Sequence, residues 1–474
     1  MDQALQTERY RAAMAFLASR ENHERGPQQQ VQGFQLASMR ALLAQLGDPQ
    51  NVLSAIHIAG TKGKGSTAAM LAAVGSANGY RVGLYTSPHL DSVEERFVVD
   101  GVSIDSQTLA DLLLEIKPIA EAMDQATDQV GPTYFEIVTA VAMLYFVRQQ
   151  VDLAVLEVGM GGRLDSTNVC RPRITVITSV SLDHMRELGD TVSQIAKEKA
   201  GIIKQGIPVV SGVTDEAARQ VIAEKAKKND AELFEIARDF KVNDYAVPTG
   251  NVSGVTFDFK GYCDPLESRE AILLGLLGRH QAENTALVLA VLDLLSAQGW
   301  HWDEQLVRKT LAGVQCRGRV EVISRDPFFV IDAAHNVASI QALLETLGEI
   351  HFGHPRVLIF ASSVDKDLRG MLTRLIPQFD HVILTKYPGS SRAADPHQLG
   401  EMVRQMNVDL AREQITWEVQ TDPNIAWKDA RNRLAEGQAI CVTGSFFIAA
   451  HLRRLAETTG VPKKSSTVAV PLKG

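Results

Sequence analysis

Three observations in this 474-residue chain predict an α/β fold built on mainly parallel sheets. Short apolar runs that read as buried strands alternate with amphipathic helical stretches. The alternation lapses and then restarts, which predicts two such layered units in succession. The third observation is the segment Ile56-His57-Ile58-Ala59-Gly60-Thr61-Lys62-Gly63-Lys64-Gly65-Ser66-Thr67. Here an apolar run opens into three glycines, two lysines and a closing pair of hydroxyls just before a helical pattern begins. That is the layout of a strand-to-helix phosphate cradle.

Residues 1–50 read as two helices. The first has Tyr10, Met14 and Leu17 on one face, the second covers 36–46, and the polar stretch ENHERGPQQQVQG joins them. A strand over 52–58 enters the glycine loop, and a helix over 66–78 ends near Gly79. A short strand follows at 82–85. A helix over 135–147 precedes a buried strand at 153–158. A strand at 174–179, a helix over 192–203 and a short strand at 209–210 continue the rhythm. Over 240–275 the alternation of Val255-Thr256-Phe257-Asp258-Phe259 predicts a small antiparallel addition. A helix over 286–295 comes next, and strands at 328–331, 357–360, 381–384 and 439–442 restart the βα pattern. These elements place a first domain over 1–298 and a second over 299–457. The last residues, 458–474, are expected to form a mobile tail.

With 45% hydrophobic and 22% charged residues the composition is that of a soluble globular protein. No apolar stretch approaches the roughly 20 residues that span a bilayer, and the polar start MDQALQTERY does not read as a signal peptide. The four cysteines, Cys170, Cys263, Cys316 and Cys441, are scattered and read as free thiols of a reducing cytoplasm. A net charge of −8 disfavours broad nucleic-acid binding, so anionic ligands need local positive clusters.

The loop departs from the commonest phosphate-binding spacing, in which Gly-Lys is followed directly by Ser or Thr. Gly65 intervenes after Lys64, and Ser66 and Thr67 come one and two places late. A glycine-rich turn that merely caps a helix remains the plain alternative. Lys62 and Lys64 in one tight turn call for an anion nearby.

Ligands of open parallel sheets sit at the carboxyl ends of the strands, and several chemistry-bearing residues fall there. Glu157, in Leu-Glu-Val-Gly-Met-Gly-Gly-Arg-Leu-Asp, is a carboxylate in an apolar strand. It needs either a metal or a buried partner such as Arg163. Ser87, in TSPHL, is either a turn residue or an oxygen ligand for a hard cation. His184, with Asp183 as its orienting neighbour, is a candidate imidazole ligand. Lys199 lies on the apolar face of its helix, seven residues after Val192. A bare ammonium there must be paired, snorkelled or chemically modified. In the second unit, Cys316-Arg317-Gly318-Arg319 suits an anion. Asp332-Ala333-Ala334-His335-Asn336 and Lys366 put polar groups at strand ends.

Taken in order, GTKGKGST, TSPHL with ERF, FE, EVGMGGRLDSTN, LDH, LGDT, EKAGIIK, GRHQAEN, RGR, DAAHN, DKD and TGS resemble the folylpolyglutamate synthase/dihydrofolate synthase family of the Mur ligase superfamily. The match runs from about residue 35 to residue 455. The resemblance implies a P-loop ATPase domain with a mainly parallel sheet, plus a smaller Rossmann-like C-terminal domain, with catalysis in the cleft between them. It implies an ATP- and Mg²⁺-dependent ligase that activates a dihydropteroate or reduced-folate carboxylate as an acyl phosphate and joins it to L-glutamate. Thr61, Gly63, Lys64, Gly65, Ser66 and Thr67 would hold the ATP phosphates, with Asn284, Arg319 and Asp332 as further ATP contacts. Ser87, Glu157 and His184 would bind the magnesium, and Lys199 would be carbamylated. Lys64, Lys199 and His184 would carry the catalysis, and TSPHL with ERF would lie near the pterin. A monomeric cytoplasmic enzyme working on small molecules, with no nucleic-acid or membrane partner, is the expectation. A Mur-type ligase for another carboxylate and amino acid is the rival reading, as is a nucleotide-binding switch without ligase activity. Lys62 stands where the family pattern usually has Asn, and Arg317 and Val337 stand where Pro is common.

Overall fold

The computed structural model describes residues 3–22, 36–126, 131–248, 254–389, 392–410 and 415–461. Most of the polar stretch expected between the first two helices lies outside these residues, as does the expected tail beyond 461. The chain divides into two units, Met1–Gln315 and Cys316–Gly474.

The first unit opens with helices α1 (Gln3–Ala18) and α2 (Leu36–Gln45), then β1 (Ala55–Ala59), α3 (Lys64–Ala77) and β2 (Val82–Tyr85). A hairpin of β3 (Phe97–Val99) and β4 (Val102–Ser103) leads into α4 (Ser106–Gln125) and α5 (Tyr134–Arg148). Next come β5 (Leu153–Glu157), β6 (Ile174–Ile177), the single turn α6 (Met185–Leu188), α7 (Val192–Ala200), β7 (Val209–Ser211), α8 (Glu216–Lys228) and β8 (Leu233–Glu235). Strands β9 (Phe240–Ala246), β10 (Val255–Gly261) and β11 (Arg269–Leu274) form the expected small antiparallel sheet. Helices α9 (Arg279–Ala297) and α10 (Glu304–Gly313) close the unit.

The large sheet has the order β4-β3-β2-β5-β1-β6-β7-β8, parallel from β2 to β8 and antiparallel at the β3–β4 edge. Every residue of β1, β5 and β6 is buried, as continuous apolar strands covered on both faces require. Helix α5 is buried on all sides from Ile137 to Phe146, so it is a central packing element rather than an amphipathic cover.

Several bounds differ from expectation: α9 spans Arg279–Ala297 against the expected 286–295, α7 stops at Ala200 and β6 at Ile177, and two element starts and the domain division have local reasons. β1 starts at Ala55 and not at 52, because Pro49–Asn51 form a 3-10 turn and Val52 stands 73% exposed. Helix α3 starts at Lys64, two residues early, because Gly63 takes φ +85° and serves as its cap. Helix α10 packs on α3 and β11, so the division of the chain falls after it and not at 298–299.

The second unit contains β12 (Glu321–Arg325), β13 (Phe328–Ile331), α11 (Val337–Glu349), β14 (Arg356–Phe360), α12 (Leu368–Leu375) and β15 (His381–Leu384). It ends with α13 (Pro396–Leu410), β16 (Thr416–Val419), α14 (Pro423–Ala435), β17 (Ala439–Thr443) and α15 (Phe446–Thr459). Its sheet order is β12-β13-β17-β14-β15-β16, parallel except for β12. Ile331, Ile359, Ile383 and Val442 pack there against Trp427 and Leu452. Helix α15 runs to Thr459, two residues into the span expected as tail. Among the described residues no helix is long and apolar enough to cross a membrane.

Candidate active site

Strands β1 and β5 are neighbours in the sheet, and the chain leaves β1 for β2 on one side and β5 for β6 on the other, so their connections run in opposite directions. A crevice forms at the carboxyl ends of strands at such a point. The loops after β1, β2, β5 and β6 all emerge at that end, and they hold Lys64, Ser87, Glu157 and His184 or their immediate neighbours.

The loop after β1 is clamped by the exit of β6. Thr61 N–H donates to Ser179 O at 2.8 Å, and Lys62 N–H donates to Ser179 Oγ at 2.9 Å. The Thr178 and Ser179 hydroxyls both donate to Lys62 O. The Thr61 hydroxyl is engaged with Ser181, accepting its N–H at 3.1 Å. Glycine is needed twice in this loop. A Cβ on Gly60 would sit 1.9 Å from Thr178 Oγ1, and one on Gly63 would sit 2.2 Å from Asn284 Oδ1. Asn284 therefore abuts the loop from α9, with its amide also donating to Gln281 Oε1 at 3.0 Å. Lys64 folds back so that Nζ donates to Gly60 O at 3.1 Å. Ser66 and Thr67 are buried in the first turn of α3, and Thr67 Oγ1 has no hydrogen-bond partner among the described residues.

Glu157 closes β5 and is only 4% exposed. Its Oε2 accepts the Ser87 N–H at 3.3 Å and lies 3.5 Å from the place a Gly65 Cβ would take. Gly65, the residue that breaks the common loop spacing, is thus what faces this carboxylate. Arg163 does not pair with Glu157. Its guanidinium is held by Glu198 at 2.9 Å. Among the described residues no three His, Cys, Asp or Glu side chains converge as a metal cluster. A cation beside Glu157 would draw most of its shell from hydroxyl, water or ligand oxygens, the donor set a hard divalent ion prefers.

Lys199 is 4% exposed on the face of α7 that buries Ile195, Ala196 and Ala200. Burial, and then the charge of Lys64, bring its pKa down to about 7, while Asp183 pulls the other way. The amine is therefore substantially neutral near neutral pH, unlike an ordinary lysine. His184 sits in left-handed backbone, φ 49° and ψ 43°, and its N–H donates to Asp183 Oδ1 at 3.0 Å. Asp183 Oδ2 lies 3.1 Å from Lys62 Nζ, so His184 is tied to the glycine-rich loop through its neighbour.

In TSPHL, His89 Nδ1 accepts a hydrogen bond from Arg96 Nε at 2.9 Å. A guanidinium only donates, so His89 is neutral with its proton on Nε2. Arg96 is 1% exposed and lies over the Tyr134 ring. In the second unit, Asp332 accepts from Val320 N–H and Ala334 N–H, each at 2.8 Å, and so ties the end of β13 to the turn before β12. Arg319 rests 4.9 Å over the Phe446 ring, and Asp365 is paired with Arg392 at 2.8 Å.

Sequence reasoning missed the residues that build the site from behind. Thr178 and Ser179 form the clamp, and hydroxyls at a strand exit were the available signal. Asp165 is another of these residues. It accepts from Met160 N–H at 3.0 Å and from Thr167, and so fixes the glycine loop that follows Glu157. Burial raises its pKa. Thr167 also meets the fully buried His57, whose pKa burial lowers to about 3.

The model of the Mur ligase middle domain matches residues 58–292, and that of the Mur ligase glutamate ligase domain matches residues 318–446. The chain is 35% identical over 426 residues to the dihydrofolate synthase/folylpolyglutamate synthase of Bacillus subtilis, covering 88% of this chain and 94% of that protein. It is similar to the crystal structure of Mycobacterium tuberculosis folylpolyglutamate synthase complexed with ADP and AMPPCP. There the TM-score is 0.82 at 31% identity, over 95% of this chain and 98% of that one. It is also similar to E. coli FolC in complex with DHPP and ADP, with a TM-score of 0.79 at 26% identity over 94% and 98% of the two chains. With both Mur ligase domains in order and such similarity along nearly its whole length, the chain belongs to the folylpolyglutamate synthase/dihydrofolate synthase family of Mur ligases.

Proposed function

We propose that the chain is an ATP-dependent ligase that forms an amide bond between a carboxylate of dihydropteroate or a reduced folate and the amino group of L-glutamate. The observation that carries this reading is the convergence of the clamped Gly60–Lys64 loop with Glu157 and Ser87 at the carboxyl ends of β1, β5 and β2. A carboxylate is a poor acyl donor at neutral pH. One of its oxygens attacks the γ-phosphorus of ATP, the bond to the ADP oxygen breaks, and an acyl phosphate forms. The uncharged glutamate amine then attacks the acyl carbon, inorganic phosphate leaves with the bonding pair, and the amine gives up its proton. Such catalysis is mainly positioning and charge stabilisation.

Thr61 together with Gly63, Lys64, Gly65, Ser66 and Thr67 is the proposed phosphate site, with Lys64 as the point charge and the amides at the start of α3 aimed at the anion. Asn284, Arg319 and Asp332 are proposed as further ATP contacts. Ser87 and Glu157 carry oxygens of the kind magnesium prefers, and the Ser87 backbone meets the Glu157 carboxylate. His184 is the third proposed ligand. When bound, the metal supplies positive charge against the phosphate oxygens. Lys199, neutral at working pH, is proposed to react with carbon dioxide as R–NH₂ + CO₂ → R–NH–COO⁻ + H⁺. This would turn a buried neutral amine into an anion that Lys64 and Lys62 can balance.

We assign the protein the small-molecule partners ATP, L-glutamate and a pterin acid, and the expectation of a cytoplasmic monomer stands as part of the proposal. The test is phosphate release by purified protein with ATP, Mg²⁺ and L-glutamate, run with dihydropteroate and with tetrahydrofolate in separate arms. Release that needs both glutamate and a pterin supports the reading, and the arms decide which of the two activities is present.

A further inference from the structure

Lys62 is the loop residue whose side chain the proposed mechanism does not use. Its backbone is locked by Ser179 and Thr178 on the exit of β6. Its side chain turns to the same segment, with Nζ 3.1 Å from Asp183 Oδ2. The Asp183 side chain is only 7% exposed, against 25% for that of Lys62. The second oxygen of Asp183 accepts the His184 N–H at 3.0 Å and lies 4.0 Å from His184 Nε2. His184 itself is in left-handed backbone, which a non-glycine residue keeps only where neighbouring contacts hold it.

We propose that Lys62 is a positioning residue: its ammonium anchors the Asp183 carboxylate, which in turn holds the His184 turn against the phosphate loop. The proposal rests on the assignment of His184 to the magnesium made above. The chemistry favours this role over a direct phosphate contact. Lys64 already supplies a loop cation, whereas Asp183 is a buried carboxylate that would lose a charge partner if Lys62 turned away. An amide at position 62 could offer Asp183 a hydrogen bond but no countercharge.

The test needs no ligase turnover. Binding of AMPPCP is measured by calorimetry with and without Mg²⁺ for the wild type, K62M, D183N, K62M/D183N and K62R, with thermal melting to confirm that each variant folds. The expected result is that K62M binds AMPPCP without Mg²⁺ within about twofold of wild type and loses about tenfold of the Mg²⁺ enhancement. The double variant should lose no more than either single one, because both act through one pair, and K62R should keep most of the enhancement. Equal loss of AMPPCP affinity with and without Mg²⁺ would overturn the proposal and make Lys62 a phosphate contact. Multiplying effects in the double variant would also overturn it. A wild type that shows no Mg²⁺ enhancement would reject the magnesium assignment and this inference together, whereas failure of the folate assay alone would leave it standing.

Discussion

Replacing Lys199 by Met tests the buried amine in isolation. Met keeps most of the side-chain volume and removes the titratable group. A depression of the amine pKa from 10.5 to about 7 corresponds to a folded-state penalty of about 5 kcal/mol for the charged form, at about 1.4 kcal/mol per pH unit. The sign follows from proton counting. Below about pH 7 both folded and unfolded chains hold the proton, and the folded state bears the whole penalty. Between about 7 and 10.5 the folded chain has released the proton while the unfolded chain keeps it, so wild-type stability climbs with pH. Above 10.5 the penalty is gone. In carbon-dioxide-free buffer, urea unfolding should therefore find the Met variant more stable by up to about 5 kcal/mol near pH 6, by about 3 near pH 8, and by under about 1 near pH 10. Equal stability at pH 6, or a gap that does not shrink as pH rises, would refute the reasoning. In the same variant, a carbamate signal from ¹³C-labelled bicarbonate, expected in the wild type, should disappear.

Other perturbations read different parts of the account. Gly63→Ala forces a side chain into left-handed backbone and into Asn284 Oδ1, and should weaken AMPPCP binding about tenfold or more; calorimetry checks it, and near-normal binding would remove Gly63 from the phosphate site. Glu157→Gln keeps the shape but removes the charge beside Ser87 and Gly65, and should lower Mg²⁺-dependent turnover by about 10²-fold or more with an unchanged melting temperature. Asp293→Ala removes the buried partner, 3% exposed, that meets Arg269 at 2.6 Å and leaves it only the more exposed Glu304 at 3.1 Å. It should destabilise the first unit by about 3 kcal/mol in urea unfolding, and a loss under about 1 kcal/mol would show the ion pair to be dispensable.

The parallel strands were legible because strands buried on both faces appear as unbroken apolar runs. β5, β6, β13, β14, β15 and β17 all fall where such runs lie. Helix α4 was not foreseen: Pro118 stands in its interior and breaks the sequence pattern a helix normally presents. The apolar Val52 extended the reading of β1 beyond its true start, since hydrophobicity alone does not distinguish an exposed residue from a strand residue. Within the candidate site, the glycine-rich strand-to-helix turn before α3 and the burial of Lys199 could be read from local spacing and helical period. The Lys62–Asp183 pair could not. Its members are 121 residues apart and meet only because β1 and β6 are neighbours in the sheet.

The most direct measurement is inorganic phosphate release by the full chain with ATP and Mg²⁺, varying L-glutamate and the pterin acid independently. The account predicts release only when L-glutamate is present together with dihydropteroate or tetrahydrofolate, with a glutamylated pterin formed in equal amount. Release with neither pterin, but with some other carboxylate in its place, would contradict it.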